Sequence, residues 1–267
     1  MVISQDYHMH STFSCDCQSP MAAMCQAAVD QGIAEIGFTE HFDHNTRDEC
    51  KDYFQLEPWA AELERCRAQF AGRLTVRAGI ELGEPHLFAT QTRAILARYP
   101  FDYALGSLHW VGDDSVFDMD YFQRHPADVT FPAFFAELER MTALGGFDIL
   151  SHFDVPVRTA FAVYGAYDPR AYEDHIRPVL KNVIAHGIAL DLNTAALRRR
   201  AQVLTPGLDI LRWYVELGGE RVTLGSDAHT PKQVGAHLDV ALDTARAAGL
   251  KYLTFFDQRQ ARLVPMP

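Results

Sequence analysis

Seven short runs of apolar and β-branched residues punctuate this chain, separated by stretches of helical period. The first run ends at His10. The others are Ile33 to Thr39 (IAEIGFT), Leu74 to Ile80 (LTVRAGI), Tyr103 to Leu108 (YALGSL), Phe147 to Ser151, Ile188 to Leu192 and Arg221 to Ser226 (RVTLGS). Helical character is expected over 20–31, closed by Gly32, and over 58–70, 90–97, 132–144, 169–186 and 208–217. Strands alternating with helices in this way are the pattern of a parallel βα array.

In such an array the site is built from the loops beyond the carboxyl ends of the strands, so residues there converge although they are far apart in sequence. The strand exits carry His8 and His10, His41, Glu81, His109, His152, and Asp227 with His229; the remaining run delivers Asn193. Along an extended chain alternate side chains share a face, so His8 and His10 point one way while Tyr7 and Met9 pack on the other side. Neutral imidazole is the commonest side-chain metal ligand. A single histidine or acid after a strand reads as an ordinary cap or loop residue, but six ligand-type exits out of seven read as a metal centre.

Composition narrows the function classes. With 267 residues, 48% hydrophobic and 22% charged, the chain is long enough to bury a sizeable core and is ordinary for a globular enzyme. A formal charge of −11 and a pI near 5.5 argue against nucleic acid or an anionic membrane as partner. A phosphate-bearing substrate would need a local positive centre, which metal ions supply. The five cysteines (Cys15, Cys17, Cys25, Cys50, Cys66) are odd in number and show no Cys-x-x-Cys spacing, so they read as free thiols of a cytoplasmic protein. Neither a signal peptide nor an 18-residue apolar run is visible. Gly-rich phosphate loops, a Gly-x-Ser-x-Gly elbow and a Cys nucleophile motif are lacking too. The chain reads as one domain over 1–267, with 252–267 as a hairpin or arm.

Nitrogen and carboxylate ligands without thiolates suit Mn, Zn or Fe(II). Two such ions a few Å apart activate a water near neutral pH and neutralise phosphoryl oxygens, which suits phosphate-ester hydrolysis; an amide or cyclic imide is open to the same chemistry. Arginines bear on the choice. Arg158 lies in a loop six residues after His152, and Arg198-Arg199-Arg200 follow Asn193. Guanidinium forks bind phosphate oxygens in a bidentate way, whereas a run of arginines is also an ordinary solvated loop. Asp43 and His44 read as a relay or a polar loop, outside the metal set. His86, His125, His175, His186 and His237 read as surface or capping residues. Trp110, Phe117 and Phe153 wall a pocket for a ring or pack in the core.

The strand-end motifs resemble those of the polymerase and histidinol phosphatase (PHP) superfamily. They are His8-x-His10-Ser11, Thr39-Glu40-His41, Gly79-Ile80-Glu81, Gly106-Ser107-Leu108-His109, Ser151-His152-Phe153-Asp154 and Gly225-Ser226-Asp227-Ala228-His229, in the superfamily's order over about residues 6 to 230. Within it the chain is most similar to the histidinol-phosphate phosphatases. That resemblance implies an α/β fold, a distorted (β/α)7 TIM-like barrel, with two or three divalent metal ions at the strand ends. It implies one ion on His8, His10, Glu81 and Asp227, a second on Glu81, His109 and His152, and a third on Asp16, His41 and His229. Many members carry histidine where this chain has Asp16. The resemblance also implies phosphate binding by Arg158 and by one of the three later arginines, with Arg198 the candidate. His229 and Asp16 are the candidates for protonating the leaving oxygen.

The expected function is hydrolysis of L-histidinol phosphate in histidine biosynthesis, with a small phosphate ester as the only partner implied. The alternatives are another PHP-type phosphoesterase, acting on nucleotides, oligonucleotides or phosphotyrosine, and a noncatalytic module holding a structural metal. A structural site is a closed four-ligand cage, which fits poorly with this many ligands sharing Glu81.

Overall fold

The structure, a computed structural model, describes residues 3–267. The chain runs β1 (Gln5–Asp6), α1 (Met21–Asp30), β2 (Glu35–Phe38), β3 (His41–Phe42), α2 (Leu56–Gln69), β4 (Thr75–Ala78), β5 (Glu81–Gly83), α3 (Ala89–Arg98), β6 (Leu105–Ser107), β7 (Trp110–Val111) and β8 (Asp114–Ser115). It continues with α4 (Met119–Arg124), α5 (Ala127–Leu144), β9 (Ile149–Leu150), α6 (Val157–Tyr164), α7 (Glu173–Ala185), β10 (Ala189–Asn193), α8 (Leu208–Glu216), β11 (Val222–Gly225), α9 (Leu238–Ala248), β12 (Tyr252–Asp257) and β13 (Gln260–Pro265). The α/β class with parallel strands expected from the alternation is what the chain adopts: strands pair in the orders β1-β2-β4 and β11-β10-β9-β6-β5-β3, all parallel.

Two of the apolar runs each supply one short strand and are followed at once by a second. β2 and β4 pair as far as Phe38 opposite Ala78, and pairing resumes with His41 opposite Glu81. Gly79 sits in the interruption, where a Cβ would lie 2.7 Å from Thr39 Cγ2 and 2.8 Å from the Phe38 carbonyl, so only glycine admits this approach of backbones. Main-chain hydrogen bonds continue past the named strands. Tyr7 N–H donates to Leu224 O at 2.8 Å, Asp227 N–H to His8 O at 2.7 Å and Thr39 N–H to Met9 O at 2.9 Å.

Helices cover the strands with apolar stripes. In α7 the buried set is Ile176, Val179, Leu180 and Val183, and in α9 it is Leu238, Ala241, Leu242, Ala245 and Ala248, both at helical spacing. Each large aliphatic side chain buried this way contributes about 1.5–3 kcal/mol. Met9 belongs to this main core, but Tyr7 does not share it. Tyr7 stacks on Tyr103 at 4.8 Å in a smaller cluster with Leu105, Ile149, Ala189 and Phe256. Tyr103 donates its hydroxyl to the Tyr7 carbonyl at 2.8 Å, and Gly37 makes room for it. Residues 252–265 form an antiparallel pair closed by Gln258 and Arg259, both at positive φ. Arg259 ties it to Asp148 at 2.7 Å.

Three expectations need correction. Cys15 and Cys50 are disulfide-bonded, with Cα atoms 5.2 Å apart, and Cys17, Cys25 and Cys66 alone are free thiols. The loops after β1 and β3 fold against each other, a proximity that a separation of 35 residues conceals. Arg158 stands in the first turn of α6, directly after Pro156, and not in a loop. His86 is no surface residue: its side chain is buried and Nε2 lies 2.6 Å from Glu137. Among the described residues no helix is long and apolar enough to cross a membrane.

Candidate metal centre

Strand ends deliver the expected residues to one place because parallel strands in register finish together. The register that sets His41 opposite Glu81 and Glu81 opposite Leu105 brings three consecutive exits side by side. Glu81, fully buried, is at the centre. Its Oε2 lies 3.3 Å from His8 Nε2, 3.5 Å from His10 Nε2 and 3.2 Å from His41 Nδ1; its Oε1 lies 3.4 Å from His109 Nε2 and 3.1 Å from His152 Nε2. Ser107 Oγ also donates to Oε1 at 2.7 Å. Asp227 Oδ1 is 3.5 Å from His10 Nε2 and 3.7 Å from His229 Nδ1. Asp16 Oδ2 is 3.0 Å from His229 Nε2 and 3.6 Å from His41 Nε2, at the exposed rim. All nine residues expected as ligands are therefore brought together. Two hold left-handed backbone, His152 at φ 23° and Asp227 at φ 53°, a conformation that a non-glycine residue adopts at a cost.

Several of these atoms lack what a buried polar atom ordinarily has. His10 Nε2, His41 Nδ1, His152 Nδ1 and His229 Nε2 are buried without a hydrogen-bond partner. Protein interiors leave few such atoms unsatisfied. Ligand-type atoms of His8, His10 and Asp227, of His8, Glu81 and His152, of His41, Glu81 and His109, and of His10, His41 and His229 each lie within 4.8 Å of one another. Nitrogen and carboxylate donors at this spacing fit divalent cations.

Electrostatics sort the histidines. Burial disfavours charge on His8, but Glu81, Asp227 and Asp191 outweigh it and hold its pKa well above the usual value. The same contest, won by Glu81, Asp16 and Asp43, holds His41 at about 10. Burial pushes His10 down to about 3, helped by His229 and His41, and pushes His152 down to about 4 with Arg158 adding to it. Burial opposes charge on Glu81 and Asp227 as well. The imidazoles around Glu81, and Arg158 with His8 beside Asp227, keep both far below the carboxylate range.

The arginines part ways. Arg158 Nη2 donates to Asp227 Oδ2 at 2.7 Å and to Asn193 Oδ1 at 2.8 Å, and its Nε is buried without an acceptor. It lines a cavity of about 520 Å³ over the histidines, together with Thr159, Phe117 and Arg199. Arg198 donates to the carbonyls of Ser226 at 2.6 Å and Asp227 at 3.2 Å and backs a side recess of about 130 Å³ that it shares with Arg158. Arg200 lines neither. Phe117 stands over His109 with ring centroids 5.4 Å apart, whereas Phe153 is buried in the core and Trp110 donates to Asp48 at 2.7 Å.

Sequence reading passed over the polar groups behind the ligands. Asp191 Oδ2 lies 2.9 Å from His8 Nδ1 and accepts from Asn193 Nδ2 at 2.9 Å; its signal is the shared face of Asp191 and Asn193, two residues apart on β10. Glu40 accepts from Ser11 N–H at 3.0 Å and Ser14 Oγ at 2.6 Å, and that same Oγ lies 3.0 Å from His10 Nδ1. Ligand imidazoles ordinarily have such a partner on the second nitrogen.

Known proteins resemble this one over nearly its whole length. The family model for the PHP domain matches residues 6–195. A probable histidinol-phosphatase of Deinococcus radiodurans is 31% identical over 261 residues, spanning 94% of this chain and 95% of that protein. One of Clostridium acetobutylicum is 28% identical, spanning 95% of this chain and 97% of that protein. The crystal structure of histidinol phosphate phosphatase from Lactococcus lactis, complexed with Zn, L-histidinol and phosphate, shares the fold. It has a TM-score of 0.86 and 22% identity over 98% of this chain and 100% of that one. By its strand-end motifs, its fold and this match, the chain belongs to the PHP domain family.

Proposed function

We propose that the protein hydrolyses the phosphate monoester of L-histidinol, releasing L-histidinol and phosphate, a reaction of histidine biosynthesis in the cytoplasm. The observation that carries this is one buried carboxylate, Glu81, with five imidazole nitrogens within 3.5 Å, beneath a cavity that also holds Arg158. The relatives named histidinol-phosphatase support the substrate. In this reading residues 1–267 form one domain, in which the two parallel sheets are joined through the Tyr7–Leu224 and His8–Asp227 hydrogen bonds between β1 and β11 into a seven-stranded barrel. The finding that several exits meet at Glu81 supports it.

His8, His10, Glu81 and Asp227 would hold one cation, Glu81, His109 and His152 a second, and Asp16, His41 and His229 a third, of Mn, Zn or Fe. Bound there, such ions supply an activated water and charge neutralisation for a phosphoryl group. The chain's own residues do the rest. Arg158 binds phosphate oxygens through the donors it now spends on Asp227 and Asn193, and Arg198 reinforces it from the side recess. Phe117, half exposed over His109, offers a flat apolar wall to the imidazole of the substrate. Where the third position is unfilled, one of His229 and Asp16, 3.0 Å apart at the rim, would pass the proton to the leaving oxygen.

Phosphate release from a panel of L-histidinol phosphate, nucleoside monophosphates, phosphotyrosine and a dinucleotide, with Mn or Zn present, tests the assignment. Preference for L-histidinol phosphate is the expected result; a preference for a nucleotide or phosphotyrosine replaces it with another phosphoesterase of the family.

A further inference from the structure

Behind the ligands lies a carboxylate that serves two of them at once. Asp43 is buried, 3% exposed, between imidazoles that arrive from different strand ends. Its Oδ2 is 3.6 Å from His41 Nδ1 and its Oδ1 is 3.5 Å from His109 Nδ1. Asp43 Oδ1 accepts no hydrogen bond and His41 Nδ1 donates none, although both are buried. Space for the carboxylate depends on Gly83, where a Cβ would stand 2.0 Å from Asp43 Oδ1.

Tautomers follow from which way each ring faces. His109 turns Nε2 to Glu81 Oε1 at 3.4 Å, and His41 turns Nε2 to Asp16 Oδ2 at 3.6 Å. A neutral ring that gives Nε2 to a cation carries its proton on Nδ1, and in both rings that nitrogen faces Asp43. His41 Nδ1 also faces Glu81 Oε2 at 3.2 Å, but a Glu81 engaged with cations leaves Asp43 as the remaining acceptor. Asp191 plays the one-ring version of this part behind His8, seated against Gly225, where a Cβ would lie 2.2 Å from its Oδ1.

We propose that Asp43 is a positioning residue common to two cation positions, its two oxygens fixing the Nδ1–H tautomers of His41 and His109 so that both rings present Nε2 together. This rests on the metal-dependent reading of the site. It makes the two positions fill as a linked pair, because one carboxylate orders a ligand of each.

The experiment is titration of Mn2+ into chelator-stripped full-length protein, by calorimetry with bound Mn2+ counted by electron paramagnetic resonance, for wild type, Asp43→Asn and Asp43→Ala. Asp43→Asn keeps the shape against Gly83 but offers one acceptor where two are needed; Asp43→Ala offers none. Loss of such a partner ordinarily weakens metal binding about 10- to 100-fold. The expected result is weaker binding of two ions in Asp43→Ala and a smaller loss in Asp43→Asn, with the melting temperature of metal-free Asp43→Asn equal to wild type. Wild-type Mn2+ affinity in both variants, or a loss matched by a fall in metal-free melting temperature, overturns the proposal. A wild type that binds no Mn2+ overturns the metal-dependent reading beneath it.

Discussion

Glu81 Oε1 and His152 Nε2 stand 3.1 Å apart although 71 residues separate them in sequence. Three parallel pairings intervene or flank: β5 with β6, β6 with β9, and the β3–β5 step that sets His41 beside Glu81. Each adds its own exit residue to the same spot. The centre is thus a product of register, and the chemistry of any one exit depends on its neighbours.

In the proposed reaction Arg158 would exchange its bonds to Asp227 and Asn193 for a phosphate, so its loss would be felt at the reacting group. Arg158→Ala is expected to lower kcat/KM for L-histidinol phosphate by about 10²–10³-fold, the cost of deleting one preorganised donor. Arg158→Lys rescues only part, since a point charge lacks the bidentate fork. Steady-state kinetics check this, and an unaltered kcat/KM in Arg158→Ala removes Arg158 from phosphate binding.

At the proposed third cation position, acid and metal would compete for His41. Burial opposes its charge, yet Glu81, Asp16 and Asp43 hold its pKa at about 10 against 6.5 for the free side chain. Folding of the metal-free protein therefore gains from the bound proton; the gain is complete below pH 6.5 and is lost as pH rises through 10. A cation bound there would take the neutral ring and would have to displace that proton. Mn2+ affinity of the stripped protein is expected to rise from about pH 6 to about pH 8 with proton release, seen by calorimetry in buffers of different ionisation enthalpy. In His41→Gln that rise is smaller. Affinity independent of pH contradicts this.

Gly37 is where the small inner cluster is tightest. A Cβ there would lie 1.8 Å from the Tyr103 hydroxyl, which is fully buried and already bonded to the Tyr7 carbonyl. Overpacking of this kind costs about 1–3 kcal/mol. Gly37→Ala is expected to melt lower, by roughly 2–4 °C for each kcal/mol, in a thermal scan.

The bond between Cys15 and Cys50 leaves three thiols. Alkylation of protein unfolded without reductant, read by mass spectrometry, is expected to label Cys17, Cys25 and Cys66 alone. Reduction first brings the label to all five.

Much of this is legible in the sequence for a simple reason. Residues just past the apolar runs face a shared mouth, so His41, Glu81, His109 and His152 announce themselves by following those runs. What stays hidden depends on contacts between loops or on residues behind the ligands. Cys50 meets Cys15 only after two loops fold together. Asp43 reads in the sequence as a relay or a polar loop and Glu40 only as part of the Thr39-Glu40-His41 motif until their partners, His109 and Ser14, are in place. Arg158 follows Pro156, and eight residues of helix after a strand give too little period to stand out from a loop. The helix Leu238–Ala248 has a plain apolar stripe but follows the last ligand, so a reading centred on ligands does not reach it.

In the proposed reaction, cations gathered by Glu81 and its ring of imidazoles would make this chain a phosphatase. Phosphate release from L-histidinol phosphate by protein stripped with chelator and then resupplied with Mn2+ or Zn2+ decides this. Activity that disappears on stripping and returns with the ion is the expected result. Activity that persists undiminished in protein shown by elemental analysis to be free of metal would contradict it.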